Sequence, residues 1–169
     1  VNEKAPGLEI LKLDAEDQKA LIGARFKVAK SNGEIIGEYE TDNNGLIILD
    51  DLKPDTYVIK EIRSPDGYIL DITPTTVVLK AGETKRVEFF NTSKPGLQLI
   101  KKDKLTGLPV GGARFSLVEL QGSAKKDHGT FTTGENGMFY VPDLTPGHYV
   151  ITEIQSAEGY ILDPTPRQV

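Results

Sequence analysis

The sequence has 169 residues, of which 38% are hydrophobic and 27% charged, a composition typical of a folded protein with one or two small domains. Its 20 basic and 25 acidic residues give a formal net charge of −5, which argues against nucleic acid or an anionic membrane as the main partner. Because cysteine is absent and the two histidines belong to no metal-like motif, disulfides, thiolate chemistry and most zinc sites are excluded, and we expect no cofactor.

The first predicted strand lies near the start of the chain and carries a lysine on an apolar face. Side chains alternate between the two faces of a strand, so Leu8, Ile10 and Lys12 point to the same side. Burial of the two aliphatic residues would therefore carry Lys12 towards the core. Taken alone, such a lysine is more simply a strand-end side chain that reaches back to water.

The following segments are short, rich in β-branched and aromatic residues, and separated by turn signals. These turns are Ser31-Asn32-Gly33, Asn43-Asn44-Gly45, Lys53-Pro54-Asp55, Pro65-Asp66-Gly67 and Ala81-Gly82-Glu83. No window holds a sustained helical stripe of apolar residues, and the longest apolar run, Leu46 to Leu49, is far too short to span a bilayer. The pattern predicts an all-β fold, an antiparallel sandwich of roughly seven strands.

Two later strands also carry a polar residue on an apolar face. Glu61 shares its face with Tyr57 and Ile59, and Asn91 shares its face with Phe89. Singly, Glu61 would be a rim carboxylate and Asn91 a turn cap. Three such residues, one each from the first, a middle and the last strand, are a stronger signal than any of them alone.

The pattern occurs twice, which makes the chain an internal repeat. Pro6 to Lys12 matches Pro95 to Lys101 at an offset of 89 residues, from position 12 to position 101. Tyr57 to Ile62 matches Tyr149 to Ile154 at an offset of 92, from position 61 to position 153. An insertion of three residues in an intervening hairpin accounts for the difference.

We therefore predict two tandem domains, residues 1–93 and residues 94–169. Residues 1–6 are interpreted as a linker and the tail of a preceding copy, so we expect the chain to be a piece of a longer array. Residues 78–91 have no counterpart in the second copy, which is expected to lack its last strand. Its equivalents of the lysine and the glutamate, Lys101 and Glu153, then have no carboxamide partner within this sequence.

Together, the polar residues predict a buried reactive cluster. Burial disfavours charge, so a neutral amine can coexist with a protonated carboxylic acid in a dry interior. The Lys12 amine would then be a nucleophile, the side-chain carbon of Asn91 an electrophile, and Glu61 an acid that polarises the amide and shuttles protons. The expected products are a Lys12–Asn91 isopeptide bond and ammonia, formed without a cofactor because folding supplies the proximity.

The motifs are similar to those of a known family. The segment Tyr57–Tyr68, the upstream Leu-x-Ile-x-Lys-x-Asp ending at Asp14, and the downstream Val-Glu-Phe-Phe-Asn ending at Asn91 resemble the Cna B-type repeat of Gram-positive surface adhesins and pilins. The resemblance covers nearly the whole chain. It implies transthyretin-like or inverse-immunoglobulin sandwiches in tandem stalks, with a self-formed isopeptide bond between the first and last strands.

Carried over by this resemblance, Lys12 is the amine donor, Asn91 the acceptor and Glu61 the catalytic acid, with Glu153 equivalent to Glu61 in the second domain. The second copy departs from the family pattern Glu-x-x-x-Pro-x-Gly-Tyr at Ala157, which replaces the proline and is expected to affect only a turn. The implied function is that of a structural stalk or spacer in an extracellular protein anchored to the cell wall of a Gram-positive bacterium. Its partners would be neighbouring repeats of the same chain and, through other domains, host extracellular matrix.

Three alternatives remain at this stage. The first is a ligand-binding module of an adhesin, which recognises a matrix protein or glycan through sandwich loops such as Gln121 to Gly129. The second is an EF-hand-like calcium loop from Glu40 to Asp51, although its flanks are predicted strands and Asn43-Asn44-Gly45 is a hairpin signal. The third is a conventional enzyme. The sequence shows no catalytic arrangement of histidine, thiol or paired carboxylates besides the self-reacting cluster, and a protein that reacts once with itself does not turn over a substrate.

Overall fold

The computed structural model describes residues 3–169, which contain thirteen β-strands and no helix. The chain divides into two compact units between Ser93 and Lys94, and each unit has its own hydrophobic core. Residues 1 and 2, interpreted above as the tail of a preceding copy, lie outside the described residues. Within residues 3–169 no helix has the length and hydrophobicity needed to cross a membrane.

The first unit is a sandwich of seven strands. They are β1 (Gly7–Asp14), β2 (Arg25–Lys30), β3 (Ile35–Glu40), β4 (Leu46–Leu49), β5 (Asp55–Arg63), β6 (Thr75–Leu79) and β7 (Thr84–Asn91). One sheet has the order β4-β1-β7 and the other the order β3-β2-β5-β6. All pairings are antiparallel except that of β1 with β7, which is parallel. The predicted all-β sandwich is confirmed.

The core of this unit follows from the strand alternation. On β1 the side chains of Leu8 and Ile10 are fully buried, and on β5 those of Tyr57 and Ile59 are 1% and 0% exposed. These faces pack against each other across the two sheets, because each buries its apolar side chains in the same cluster. A polar residue on either face is therefore carried into the interior of the sandwich.

The second unit has six strands, which are arranged like β1 to β6 of the first unit. They are β8 (Leu97–Ile100), β9 (Arg114–Gln121), β10 (Ala124–Thr132), β11 (Met138–Val141), β12 (His148–Gln155) and β13 (Arg167–Gln168). Its sheets have the orders β11-β8 and β10-β9-β12-β13. Strand β8 corresponds to β1, and within the described residues it pairs with β11.

The segment Gln121 to Gly129, predicted to be an exposed loop, is instead mostly strand. β10 begins at Ala124 and pairs with β9 up to a bulge between Asp127 and Thr130. Its charged residues obscured this in the sequence, because an edge strand needs no apolar alternation on its solvent side. The longer hairpin also accommodates the change in repeat offset.

Residues 3–6, assigned above to a linker, are partly integrated into the first unit. The carbonyl of Lys4 accepts a hydrogen bond from the N–H of Gly82 at 2.7 Å, and that of Pro6 accepts one from Leu52 at 3.1 Å. Pro6 is among the fully buried residues. The fold of the first unit thus begins before β1.

The Glu40–Asp51 segment forms a tight turn between β3 and β4 rather than a helix–loop–helix, and because these two strands belong to different sheets the predicted hairpin at Asn43-Asn44-Gly45 is wrong. Its Asp42 Oδ1 accepts hydrogen bonds from the backbone N–H groups of Asn44 at 2.8 Å and Leu46 at 2.9 Å. This carboxylate therefore caps the turn. Among residues 3–169 no group of three or more acidic or histidine side chains is placed to hold a metal ion.

Candidate functional site, a buried Lys-Glu-Asn cluster

Lys12, Glu61 and Asn91 lie together in the core of the first unit. Lys12 is on β1 and Asn91 ends β7, so both belong to the three-stranded sheet, whereas Glu61 is on β5 of the facing sheet. Their residues are 1%, 1% and 2% exposed. Full burial of a lysine, a glutamate and an asparagine is rare unless they contact one another, and here they do.

The carboxyl group of Glu61 joins the other two side chains. The Nζ atom of Lys12 lies 3.3 Å from Glu61 Oε1. The Nδ2 atom of Asn91 donates a hydrogen bond to the other oxygen, Oε2, at 2.9 Å. Because the two oxygens of one carboxyl group are bonded to the same carbon, the amine and the amide are held side by side.

Glu61 is also held from the loop that follows its strand. The backbone N–H of Asp71 donates to Glu61 Oε2 at 3.1 Å, so this oxygen accepts two hydrogen bonds. Within the described residues, Glu61 Oε1 and Asn91 Oδ1 are buried without a hydrogen-bond partner. Rotating the Asn91 amide by half a turn would exchange Oδ1 and Nδ2 and bring the carbonyl oxygen to the carboxyl group.

The surroundings of Lys12 disfavour its charge. Burial lowers the pKa of Lys12 below its ordinary value, and this outweighs the opposing attraction of Glu61 and of Asp71. The Nζ atom lies 5.6 Å from the ring centroid of Phe26 and 6.0 Å from that of Phe89. The amine therefore sits in a largely apolar pocket, with the nearest carboxyl oxygen, that of Glu61, 3.3 Å away.

Strands β1 and β7, which carry Lys12 and Asn91, pair in a fixed parallel register. Asp14 lies opposite Asn91 and Lys12 lies opposite Phe89 in the parallel pair. The backbone N–H of Ala15 donates to the carbonyl of Asn91 at 2.9 Å, directly beyond the paired region. Lys12 is thus two residues before the point where both strands end.

Sequence reasoning missed one residue close to this cluster, Tyr68. Its hydroxyl donates to Asp14 Oδ2 at 2.8 Å, and this hydrogen bond raises the pKa of Tyr68 to about 12. The signal was present in the repeat, because Gly67-Tyr68 recurs as Gly159-Tyr160. It identified a motif but not which strand the tyrosine contacts.

The second unit contains the lysine and glutamate of the cluster in a more open setting. Lys101 Nζ lies 2.8 Å from Glu153 Oε2, and the Lys101 side chain is 23% exposed. The N–H of Asp163 approaches the same oxygen at 3.4 Å, as that of Asp71 does in the first unit. A cavity of about 70 Å³ lies beside the pair, with Leu99 and other core residues in its wall. No carboxamide contacts the pair among the residues described.

Chemically, the first cluster brings an amine, a carboxyl group and a carboxamide together in a buried site. These are the components of an acyl transfer from nitrogen to nitrogen. A lysine and a glutamate recur in the second unit, so the chain is a tandem protein of two β-sandwiches, each with a lysine–glutamate pair, which is fully buried in the first unit.

Comparison with known proteins identifies the family. The family model described as SpaA, prealbumin-like fold domain, matches residues 6–93 and again residues 95–169, so the chain belongs to this family. The resemblance to the repeats of surface adhesins and pilins is thereby confirmed. Each match corresponds to one of the two compact units.

Among curated proteins, the chain is 26% identical over 172 residues to serine-aspartate repeat-containing protein F of Staphylococcus epidermidis, covering 86% of this chain and 9% of that protein. It is 32% identical over 95 residues to the trypsin-resistant surface T6 protein of Streptococcus pyogenes serotype M6, covering 56% of this chain and 18% of that protein. The chain thus spans a small part of either relative.

Among solved structures, the crystal structure of the shaft pilin SpaA from Lactobacillus rhamnosus GG matches with a TM-score of 0.58. The alignment covers 99% of this chain and 93% of that chain at 14% sequence identity, a level that shows the common fold alone. The prealbumin-like sandwich is therefore the architecture of both units.

Proposed function

We propose that this chain is a load-bearing spacer of a bacterial surface protein, in which the first unit locks itself with an isopeptide bond between Lys12 and Asn91. The observation that carries the proposal is the contact of both side chains with one buried carboxyl group, that of Glu61. The reaction occurs once per molecule and leaves the protein as its own product. The chain is thus a structural module and not an enzyme.

The reaction begins with a proton transfer inside the pair. Lys12 gives a proton to Glu61, which yields a neutral amine and a neutral acid without exchange with solvent. The dry surroundings of Lys12 favour this step because they penalise the ammonium. The amine then attacks the Asn91 side-chain carbon while the Glu61 acid donates a hydrogen bond to the amide oxygen.

Collapse of the tetrahedral intermediate completes the exchange. During the attack the Glu61 acid gives its proton to the amide oxygen and becomes a carboxylate. This carboxylate takes a proton from the Lys12 nitrogen and passes it to the departing amide nitrogen of Asn91, and Glu61 regains the first proton from the oxygen as the carbonyl re-forms. One C–N bond forms, one breaks, and the nitrogen leaves as ammonia. Glu61 ends with the proton count that it had before the attack, as a proton shuttle must.

A surface cleft beside Asn91 would give the leaving group a route to solvent. A cleft of about 340 Å³ opens beside Asn91 and is lined by Leu70, Asp71 and Phe90, among other residues. Escape of ammonia through such a cleft would make the reaction irreversible at ordinary dilution. Water entry to the amine is still restricted, since Lys12 itself is 1% exposed.

The bond would change the mechanics of the unit. Lys12 is near its start and Asn91 near its end, so tension on the chain would pass through the cross-link and bypass most of the sandwich. Treated like a disulfide, closure of a loop of about 80 residues restricts the unfolded chain by roughly 4 to 5 kcal/mol. Extension of the enclosed segment would require breaking a covalent bond.

The relatives support the setting of this function. The trypsin-resistant surface T6 protein is a surface protein by name, and SpaA from Lactobacillus rhamnosus GG is a shaft pilin. This chain contains the same family domain twice in tandem. We infer an extracellular position in a wall-anchored protein, with neighbouring repeats of the same chain as immediate partners. Contact with host matrix would then belong to other parts of the full-length protein.

Intact-mass spectrometry of the folded chain tests the proposal. The wild-type protein should weigh one ammonia less than its sequence, and tandem spectra of a digest should join the peptides that contain Lys12 and Asn91. Lys12→Met should restore the full mass, whereas the matched variant Lys101→Met in the second unit should still lose one ammonia. A full mass in folded wild-type protein would overturn the proposal.

A further inference from the structure

The loop between β5 and β6 contacts the elements that carry the reacting groups. We call residues Ser64–Asp71 the Tyr68 clasp. At its centre Tyr68 donates its hydroxyl proton to Asp14 Oδ2 at 2.8 Å, at the end of β1. The next residue, Ile69, donates its N–H to the carbonyl of Thr92 at 2.9 Å, directly after β7.

The other end of the clasp reaches the proton carrier. The N–H of Asp71 donates to Glu61 Oε2 at 3.1 Å, the oxygen that also accepts the hydrogen bond from Asn91. One short segment is therefore hydrogen-bonded to the strand of the amine, to the chain just after the amide, and to the acid. Among the described residues of the first unit, these contacts unite β1, β5 and β7 at one end of the sandwich.

Hydrogen bonds within the clasp hold it in one conformation, so a shift at one of its contacts would also shift the others. The N–H of Tyr68 donates to the carbonyl of Pro65 at 3.2 Å, and the Ser64 hydroxyl donates to the carbonyl of Tyr68 at 3.0 Å. Pro65 is buried and restricts its own backbone. Gly67 has a φ of 80°, which a residue with a side chain adopts with strain.

The ends of β1 and β7 need such support. Their parallel ladder stops at the pair Asp14 and Asn91, and beyond it a single further backbone hydrogen bond, from the N–H of Ala15 to the carbonyl of Asn91 at 2.9 Å, joins the ends of the two strands. A displacement of about 1 Å at a reacting centre can lower a rate a hundredfold. Alignment of the Asn91 carbon with the Lys12 amine therefore depends on what holds the strands beyond their last pair.

We propose that the Tyr68 clasp aligns the cross-linking reaction, with Tyr68 as the positioning residue that ties the end of β1 to the segment holding β7 and Glu61. This inference rests on the proposed isopeptide function and deepens it. Tyr68 does not touch the reacting atoms. Its hydroxyl acts through Asp14, two residues beyond Lys12 on the same buried face of β1.

The second unit offers a matched comparison. Its equivalent tyrosine, Tyr160, lies near Asp103, and burial together with this carboxylate raises the pKa of Tyr160. Tyr160 is nevertheless 42% exposed. The described residues of the second unit include no strand equivalent to β7 for it to hold in place. A Tyr160→Phe variant therefore removes the same hydroxyl where no cross-link is expected.

The test follows bond formation in newly made protein. Wild-type chain, Tyr68→Phe and Tyr160→Phe are synthesised in a short cell-free pulse, quenched in acid at intervals, and weighed intact. Limited proteolysis of parallel samples gives the folded fraction at each time. We expect Tyr68→Phe to slow ammonia loss in folded molecules about tenfold or more, and Tyr160→Phe to leave the rate unchanged.

Two further variants separate alignment from stability. In an Asn91→Ala background, where no bond can form, denaturation gives the effect of Tyr68→Phe on stability alone. Asp14→Asn and the double variant with Tyr68→Phe complete a cycle for the rate. If the two residues act through one hydrogen bond, the double variant should be about as slow as the slower single variant.

The outcomes distinguish the inference from the function on which it rests. If wild-type protein loses no ammonia, the proposed function fails and the clasp has no reaction to align. If wild-type protein reacts and folded Tyr68→Phe reacts within about twofold of its rate, the clasp is only structural and the inference is wrong. Independent, additive effects of Asp14→Asn and Tyr68→Phe on the rate would overturn it as well.

Discussion

Lys12 and Asn91 are 79 positions apart in the sequence, from position 12 to position 91, and reach the two oxygens of the same carboxyl group. The carboxyl belongs to Glu61 in the facing sheet, so these contacts link the two sheets of the sandwich through its core. A lysine and an asparagine on neighbouring parallel strands would otherwise have no reason to be buried together. This relationship is the basis of the predictions that follow.

Replacing the amide by an acid should preserve the product. In Asn91→Asp the attack of Lys12 would release water instead of ammonia, and the cross-linked chain would have the same final mass as the cross-linked wild type. Intact mass before and after reaction distinguishes the two leaving groups. Asn91→Ala should keep its full mass, and a loss of ammonia from Asn91→Ala would place the bond elsewhere.

Removing only the lysine should leave an unpaired buried carboxyl group. Compared with Asn91→Ala, which is also unlinked, the double variant Asn91→Ala/Lys12→Met should lose about 3 kcal/mol or more of unfolding free energy. Adding Glu61→Leu should recover part of this loss, because it removes the unpaired group. Urea denaturation measures all three, and a Lys12→Met variant as stable as its parent would contradict the pairing.

The pKa of Lys12 predicts how stability changes with pH in the unlinked protein. Burial lowers this pKa in the folded state. At pH values between that lowered pKa and the ordinary lysine value of 10.5, the unfolded state therefore binds more protons than the folded state. The destabilisation is complete below the folded pKa and disappears as pH rises through the interval. Stability attributable to Lys12 should therefore increase with pH.

Denaturation of Asn91→Ala at several alkaline pH values checks this, with Asn91→Ala/Lys12→Met as the matched control. The difference between the two variants isolates Lys12 from the other titrating groups. A difference that stays flat, or that moves against the rising pH, would show that Lys12 is not desolvated.

The two units should differ in thermal stability because only the first has a complete cluster. The cross-link should raise the unfolding temperature of the first unit, in line with roughly 4 to 5 kcal/mol of restricted unfolded-state entropy. Calorimetry of the wild type should show two transitions. Asn91→Ala should lower only one of them, while Lys101→Met should affect the other, and a single transition unaffected by Asn91→Ala would count against the bond.

Much of this architecture could be predicted from local sequence patterns. The two copies were recognised from repeated segments, and alternation along single strands indicated that Lys12, Glu61 and Asn91 continue apolar faces. Alternation is a local property with a period of two residues, so it survives without knowledge of the rest of the fold. It failed at Gln121 to Gly129, where a solvent-facing edge strand has no apolar face to reveal it.

Only the tertiary structure decided which faces meet. Parallel pairing of β1 with β7, the position of Glu61 between Lys12 and Asn91, and the hydrogen bond from Tyr68 to Asp14 all join residues far apart in the sequence. Such contacts depend on the order of strands in two sheets and on their packing, because distant chain segments meet only when the whole core forms. The residue types for the chemistry are therefore written in the chain, and their proximity is a property of the fold.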